Sequence, residues 1–263
     1  MNDAQFVETQ EHRRFAEFCN ACRQYRYIGL CYGAPGVGKT VSAARYSDWE
    51  RLQQLSNLKR SDIPEAPHAF ANHALFYTVA VTGSPGQLER DIQFRRGQLN
   101  YVLVAARERH SVNWQWQWSP QDLVELIIID EADRLGTKLL EQVRDIYDRS
   151  QIGVVLVGMP GIEKRLARYP QFYSRIGFVH HFRPLAQTEM RQVLPKMWQA
   201  MPHDHDCLSD EVMLTIMRIT GGNFRLMQRL LTQVDRIMRV NGLPAASKEA
   251  VETARESLII GVT

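Results

Sequence analysis

Apolar residues follow two patterns along the chain, and only one of them continues into its last part. Up to about residue 184, short continuous apolar runs alternate with segments in which apolar residues recur every three or four positions. The runs are typical of strands buried on both faces of a parallel sheet, and the segments between them are typical of amphipathic helices. From about residue 186 only the helical spacing continues. We therefore predict a parallel α/β domain over residues 1–184 and a small helical domain over residues 185–263.

These patterns give a set of predicted elements, separated by glycine, proline and short polar residues. Residues 56–73 form a polar connection, and Ser119 with Pro120 has the residue types of a helix N-cap and first helical position. The predicted strands are Tyr27–Cys31, Leu75–Val81, Leu126–Asp130, Gly153–Val157 and Phe178–Phe182. The predicted helices are 7–25, 39–55, 86–109, 137–149, 160–168, 187–201, 209–220, 223–240 and 247–259.

Composition places the chain among ordinary globular proteins. Hydrophobic residues make up 44% and charged residues 23%. The net charge of +3 permits a polyanionic partner without requiring one. No run approaches the roughly 18 apolar residues of a membrane helix, and the polar start of the chain does not resemble a signal peptide. We expect a cytoplasmic protein that does not bind a membrane.

The four cysteines are too few and too scattered for a disulfide framework. Cys19 and Cys22 form a single C-x-x-C pair, without the second pair of ligands that a zinc site requires. Because both fall on the apolar face of a helical pattern, we predict that they pack on the core. The segment from His203 to Cys207 contains ligand-type side chains, but its position after a proline and between two helical patterns favours a solvated loop.

A glycine-rich octet, Gly-Ala-Pro-Gly-Val-Gly-Lys-Thr at 33–40, lies between the first predicted strand and the helix that follows it. This is the sequence context of a phosphate-binding loop, in which glycines leave the backbone N–H groups open to phosphate oxygens. We predict that Lys39 reaches the β- and γ-phosphates of ATP and that the Thr40 hydroxyl ligates Mg²⁺. The predicted nucleotide-binding residues of this segment are Gly33, Ala34, Pro35, Gly36, Val37, Gly38, Lys39, Thr40 and Val41.

A second motif follows about ninety residues later, where four apolar residues at 126–129 are followed by Asp130 and Glu131. Ligands of open α/β sheets gather at the carboxyl ends of the strands, so we predict that Asp130 binds Mg²⁺, directly or through water. Glu131 is the predicted general base for the attacking water. Together the two motifs predict binding and hydrolysis of MgATP.

With both motifs in place, the sequence resembles the AAA+ ATPases over nearly its whole length. The resemblance implies that the helical domain is a lid over the nucleotide. Gly221-Gly222-Asn223-Phe224-Arg225 is similar to the second sensor of that family, which assigns Arg225 to the γ-phosphate. The segment 169–177 resembles the region of the arginine finger, a catalytic group that completes a neighbouring subunit's site. Arg175 is the first candidate and Arg168 the second, and the alternative for Arg175 is an ion pair with a surface carboxylate.

One position departs from the family's pattern. Many AAA+ proteins have a polar first sensor at the end of the fourth strand, whereas here Val157 is followed by Gly158, Met159 and Pro160. We therefore expect slow or conditional hydrolysis, as in a switch.

Within AAA+, the segments 27–40, 130–135 and 157–166 resemble the transposon target-selection ATPases of the MuB, TniB and TnsC type. That resemblance implies an ATP-dependent ring or helical filament on double-stranded DNA, with little sequence preference. It also implies recruitment and stimulation of a transposase, with hydrolysis dissolving the assembly. Two alternatives remain open: a helicase-loader or initiator ATPase, and an ATP-switched protein-interaction scaffold, which indifference to DNA would favour.

Basic residues that follow the second and third predicted strands are candidates for DNA binding, although a solvated helix face explains them equally well. The segment Trp114–Trp118 favours a strand or loop edge packed on the core over a surface that stacks on bases. The candidate DNA-binding residues are Arg95, Arg96, Arg107, Arg109 and Lys138.

Overall fold

The computed structural model describes residues 6–59, 62–63, 72–108, 122–201 and 207–258, without the side chains of Arg107 and Glu108. By their packing these residues form two compact units. The described residues of the sheet unit fall within 14–33 and 39–181, and those of the helical unit fall within 6–13, 34–38 and 182–258. The predicted domain ranges 1–184 and 185–263 stay a prediction.

The sheet unit is built on a parallel sheet, whose described strands follow the order β2-β3-β4-β1-β5. Strands β3 and β4 are buried at every position, which explains their unbroken apolar sequences. Strand β5 lies at an edge, and its residues alternate between half-buried and exposed. The strands are β1 Ile28–Tyr32, β2 Ala74–Thr78, β3 Leu126–Asp130, β4 Gly153–Gly158 and β5 Ile176–His181.

Five strands in a parallel sheet were predicted, and five are found among the described residues. Strand β2 ends at Thr78, three residues before the predicted end at Val81. The reason is that its neighbour β3 ends at Asp130, opposite Thr78, so later residues have no strand to pair with. Val81 is accordingly exposed over 81% of its surface.

The helices that accompany the sheet differ from the prediction at three places. The helix predicted over 7–25 begins only at Gln10. The helix predicted over 39–55 is two helices, because Asp48 adopts a left-handed conformation (φ 51°) between them. The helix predicted over 160–168 is shorter, and a further one-turn helix follows it. Ser119 and Pro120 lie outside the described residues, and 122–125 form no helix. The helices are α1 Gln10–Tyr25, α2 Lys39–Tyr46, α3 Trp49–Leu55, α4 Pro85–Glu108, α5 Thr137–Ser150, α6 Ile162–Leu166 and α7 Pro170–Tyr173.

Cys19 and Cys22 confirm the interpretation that they belong to the core. Both are fully buried free thiols, and burial raises the pKa of Cys22 to about 12. A side chain at Gly29 would begin only 2.3 Å from the Cys22 sulfur, so the strand and helix can pack this closely only with glycine at that position. No three His, Cys, Asp or Glu side chains of the described ranges gather as a metal site. Trp114–Trp118 and residues 203–206 lie outside those ranges, and Cys207 is exposed.

The described part of the helical unit contains four helices of nine or more residues around an apolar core, which includes Trp198, Ile216 and Leu230. Three of the helices begin at a residue whose side-chain oxygen accepts a hydrogen bond from a backbone N–H of the first turn. Both ends of all four helices agree with the sequence prediction within three residues. The helices are α8 Gln187–Gln199, α9 Asp210–Thr220, α10 Phe224–Asn241 and α11 Lys248–Glu256.

Across the described part of the chain, no helix has the length and apolar character needed to cross a membrane.

Candidate nucleotide-binding site

Lys39 is the first residue of α2 and is almost completely buried. Its ammonium group donates a hydrogen bond of 2.6 Å to the carbonyl oxygen of Gly33, and the sulfur of Met159 lies 3.8 Å away. Burial lowers the pKa of Lys39, and the nearby carboxylates of Asp130, Asp133 and Glu131 oppose that shift. A phosphate anion that binds here would stabilise the buried positive charge of Lys39.

Asp130 ends strand β3 and is only 3% exposed. Burial raises the pKa of its carboxyl group, and a hydrogen bond from the side chain of Thr40 opposes the increase. The second carboxylate oxygen, Oδ2, is buried and has no hydrogen-bond partner among the described residues. A hydroxyl group beside an unsatisfied carboxylate oxygen is a donor set that suits Mg²⁺, so the residues present fit the predicted metal.

Glu131 follows Asp130 in a left-handed backbone conformation with a φ of 57°. Such conformations are costly for residues other than glycine and cluster at functional sites. The Glu131 side chain is 38% exposed, and its Oε2 atom lies 3.6 Å from a guanidinium nitrogen of Arg134. Arg134 also donates a hydrogen bond of 2.7 Å to the carbonyl oxygen of Val79. The carboxylate is therefore accessible to water, as a general base must be.

The turn after Asp130 is fixed to the end of strand β4 by contacts that the sequence analysis missed. The Asp133 carboxylate accepts a hydrogen bond of 2.7 Å from the backbone N–H of Met159. Arg165 donates hydrogen bonds to the carbonyl oxygens of Ala132 and Asp133, at 2.9 and 2.8 Å. The only sequence signal for these roles was the acidic and basic character of the turn. Met159 is one of the residues after Val157 among which a polar first sensor was sought, and its side chain is a thioether.

In the helical unit, loop residues 34–38 contact the first turn of α10. The side-chain amide of Asn223 donates a hydrogen bond of 2.8 Å to the Pro35 carbonyl oxygen, and the backbone N–H of Arg225 donates one of 3.1 Å to Gly36. Gly36 has a φ of 80°, and a side chain there would begin 2.8 Å from the Cβ atom of Arg225. Asn223 was not predicted as a contact residue. Its position as the N-cap of α10 was the available signal.

The two arginine-finger candidates have different surroundings. Arg175 donates two hydrogen bonds to the Asp148 carboxylate, at 2.7 and 2.8 Å, and these raise the pKa of its guanidinium. This is the ion pair that was the alternative to a finger role. Arg168 is exposed and makes no side-chain hydrogen bond or ion pair with the described residues. The finger role of either residue stays a prediction.

The candidate DNA-binding residues are also unequal. The Arg95 guanidinium lies 4.7 Å from the ring centre of Trp49, and burial lowers its pKa. Arg96 forms an ion pair with Asp122. Lys138 is exposed, without a side-chain partner in the described part of the chain. Arg107 belongs to α4 without a described side chain, and Arg109 lies outside the described residues. Among the candidates whose side chains are described, Lys138 alone is exposed without a partner.

A parallel sheet of this strand order, with a glycine-rich loop after β1 and an acidic residue at the end of β3, defines a P-loop nucleotide-binding protein of the AAA+ class. The model of the AAA domain family matches residues 22–166. The chain belongs to that family, and the predicted fold class is confirmed.

Known relatives agree with this assignment. A Staphylococcus aureus protein named "potential ATP-binding protein" is 42% identical over 98% of this chain and 97% of its own length. DNA transposition protein B of the Mu-like prophage FluMu in Haemophilus influenzae is 22% identical, over 84% of this chain and 70% of its own. The ATP-dependent target DNA activator B of Escherichia phage Mu is 25% identical over 65% of this chain, which spans about half (49%) of that relative.

Among solved structures, the RuvB Holliday junction branch migration motor of Thermotoga maritima has a similar fold. The TM-score is 0.61 and the sequence identity 16%, over 96% of this chain and 70% of the RuvB chain. At this identity the likeness concerns the fold alone.

Proposed function

We propose that the protein is an ATP-dependent DNA-binding switch that assembles on double-stranded DNA and delivers it to a transposase. The observation that supports the proposal best is the pair formed by Thr40 and Asp130, which leaves one buried carboxylate oxygen unsatisfied at the end of β3. This arrangement suits a nucleotide-bound Mg²⁺, and the transposition proteins among the relatives supply the expectation of DNA.

In this proposal residues 33–41 hold the triphosphate, and Thr40 and Asp130 hold Mg²⁺. Bound Mg²⁺ neutralises charge on the phosphate oxygens. Lys39 provides a further positive charge for the β- and γ-phosphates. Arg225 contacts the γ-phosphate from the start of α10, as the resemblance to the AAA+ second sensor implies.

Hydrolysis requires one proton transfer and one bond exchange. Glu131 accepts a proton from water, whose oxygen forms a bond to the γ-phosphorus while the bond to the β–γ bridging oxygen breaks. The products are ADP and inorganic phosphate. Arg175 or Arg168 of a neighbouring copy stabilises the charge that develops, so we expect an isolated subunit to hydrolyse ATP slowly.

The proposed partners are double-stranded DNA, a transposase and further copies of this chain in a ring or helical filament. Two relatives are named for DNA transposition and for activation of target DNA. An arginine that acts on a neighbour's nucleotide would explain why ATP promotes assembly, because the γ-phosphate then connects two subunits.

The proposal is tested by mixing the purified protein with random-sequence duplex DNA, and either an unhydrolysable ATP analogue or ADP. Electron microscopy and binding measurements over a range of salt concentrations should show rings or filaments on DNA with the analogue only. Absence of DNA binding in both states would contradict the proposal and favour a protein-interaction scaffold. Preferential binding to single strands or a helicase would favour a loader.

A further inference from the structure

Helix α10 has four arginines along one line of its surface, and we call this set the arginine stripe. Its members are Arg225, Arg229, Arg236 and Arg239, and all four are exposed. At about 100° per residue their directions fall within roughly 40° of one line, and at about 1.5 Å per residue they extend over roughly 21 Å. The opposite face is buried and contains Met227, Leu230, Leu231, Val234 and Met238.

The charge of this face is largely uncompensated. The acidic residue within α10 is Asp235, which is buried and pairs with Arg239. The side chains of Arg229 and Arg236 make no hydrogen bond or ion pair with any residue that the structure describes. Two other exposed arginines of the helical unit, Arg218 and Arg255, are paired, because both contact Glu252.

An ordinary solvated helix face usually alternates positive and negative charges. Here Arg225 and Arg229 are four residues apart, and Arg236 and Arg239 are three apart. Like charges at these spacings repel each other and destabilise a helix. The stripe therefore costs helix stability, which an anionic partner would offset.

We propose that the arginine stripe beyond Arg225, whose side chain is assigned to the γ-phosphate, binds the phosphate backbone of double-stranded DNA, with Arg229 and Arg236 as the main contacts. The inference rests on the proposed function, which requires DNA binding but assigned it to other residues. From Arg229 to Arg239 the stripe extends over roughly 15 Å, which corresponds to about four base pairs at 3.4 Å each. The planar guanidinium group can donate two hydrogen bonds to one phosphate, and such contacts do not read sequence.

The stripe begins beside the nucleotide loop. Arg225, its first member, donates its backbone N–H to Gly36 in the loop. One helix thus connects loop residues that are proposed to bind ATP with a surface that is proposed to bind DNA. This connection gives a physical route by which the nucleotide state can alter DNA affinity.

The test measures binding of random-sequence duplex DNA, in the presence of an unhydrolysable ATP analogue, by the variant Arg229→Gln with Arg236→Gln. At about 0.1 M salt we expect affinity to fall roughly tenfold or more. The dependence of log K on log salt concentration should become less steep by about 1.8 per subunit, or 0.9 for each lost phosphate contact. Glutamine is a good helix former, so α10 should be preserved.

The matched control is Arg218→Gln with Arg255→Gln, which removes the same formal charge from paired arginines of the same unit. We expect its DNA affinity to stay within about twofold of wild type. Binding of the ATP analogue, measured for every variant, shows that each remains folded.

Several outcomes would overturn the inference. If the Arg229 and Arg236 variant keeps the wild-type affinity and salt dependence, the stripe is not a DNA surface, although the proposed function stands. The same conclusion follows if that variant binds DNA normally but fails to capture the transposase, because the stripe then binds protein. Equal losses in variant and control would indicate a general charge effect. If the wild-type protein binds no DNA, the proposed function fails as well.

Discussion

The side chain of Thr40 donates a hydrogen bond to the buried carboxylate of Asp130, whose Oδ2 atom has no hydrogen-bond partner among the described residues. A buried carboxylate that is only half satisfied destabilises a fold unless a ligand completes it. The pair thus connects the two sequence motifs, the glycine-rich loop and the end of strand β3, in one proposed Mg²⁺ site.

Replacing Asp130 with Asn should stabilise the nucleotide-free protein at pH 7.5, because it removes a buried charge. We expect the melting temperature to rise by about 2–4 °C, the change that 1 kcal/mol produces in a domain of this size. The variant should also lose the Mg²⁺-dependent part of its stabilisation by ATP. Thermal unfolding with and without MgATP measures both effects.

The difference in stability between Asp130→Asn and the wild type should depend on pH, because proton binding is linked to folding. Burial raises the pKa of Asp130 in the folded state, so the folded protein binds more protons than the unfolded chain between the two pKa values. Stability of the wild type therefore falls as pH rises through that window, and the advantage of Asp130→Asn should shrink as pH is lowered through the same window. A wild type that is the more stable of the two at pH 7.5 would show that the carboxylate is satisfied.

Lys39→Ala should weaken ATP binding by roughly 10- to 150-fold, since hydrogen bonds to charged groups contribute about 1.5–3 kcal/mol. The unliganded protein should stay folded, because burial already disfavours the Lys39 charge. Isothermal titration with an unhydrolysable ATP analogue measures the effect. Lys138→Ala, which alters an exposed lysine of the same unit, is the control and should bind the analogue normally. Normal binding by Lys39→Ala would disprove the assigned role.

Asn223 offers a way to separate helix capping from contact with the loop. Its Oδ1 atom accepts from the Leu226 N–H, and its amide nitrogen donates to Pro35. Asn223→Ser should preserve the cap but not reach Pro35, whereas Asn223→Ala should lose both and cost about 1 kcal/mol. We expect both variants to bind ATP more weakly and only the Ala variant to melt earlier. ATP affinity equal to wild type in both would show that the loop contact is dispensable.

A catalytic arginine supplied by a neighbour can be detected by mixing variants. Either Arg175→Ala or Arg168→Ala should bind ATP normally and hydrolyse it about 10³-fold more slowly. Activity should return in mixtures with Lys39→Ala subunits, whose arginines are intact. Only Arg175→Ala should also lower the melting temperature, because it breaks the pair with Asp148. Undiminished hydrolysis by both variants would refute catalysis between subunits.

Sequence patterns predicted those features that depend on local composition. Buried parallel strands are uniformly apolar, so strands β3 and β4 were found nearly to the residue, and the glycine-rich loop has a fixed spacing. The break between helices α2 and α3 depends on the left-handed conformation of Asp48 alone, and no glycine or proline nearby indicates it in the sequence. The periodic pattern of 39–55 therefore predicted one helix.

Sequence patterns did not predict contacts between residues that are far apart in the sequence. Arg95 was considered for DNA because it is basic, but its ring partner Trp49 lies far away in sequence. The same holds for Asp133 with Met159 and for Asn223 with Pro35, which become neighbours only after folding. Charge in a sequence identifies a group that can bind, and the folded structure decides what it binds.

The central claim, that ATP holds the protein on DNA and hydrolysis releases it, is tested most directly by the lifetime of the DNA complex formed by Glu131→Gln. A labelled duplex is bound in the presence of MgATP and its release is followed after excess unlabelled DNA is added. Loss of the general base should slow hydrolysis by about 10²–10⁴-fold, and the complex should persist correspondingly longer than that of the wild type. Release at the wild-type rate, with hydrolysis abolished, would contradict the account.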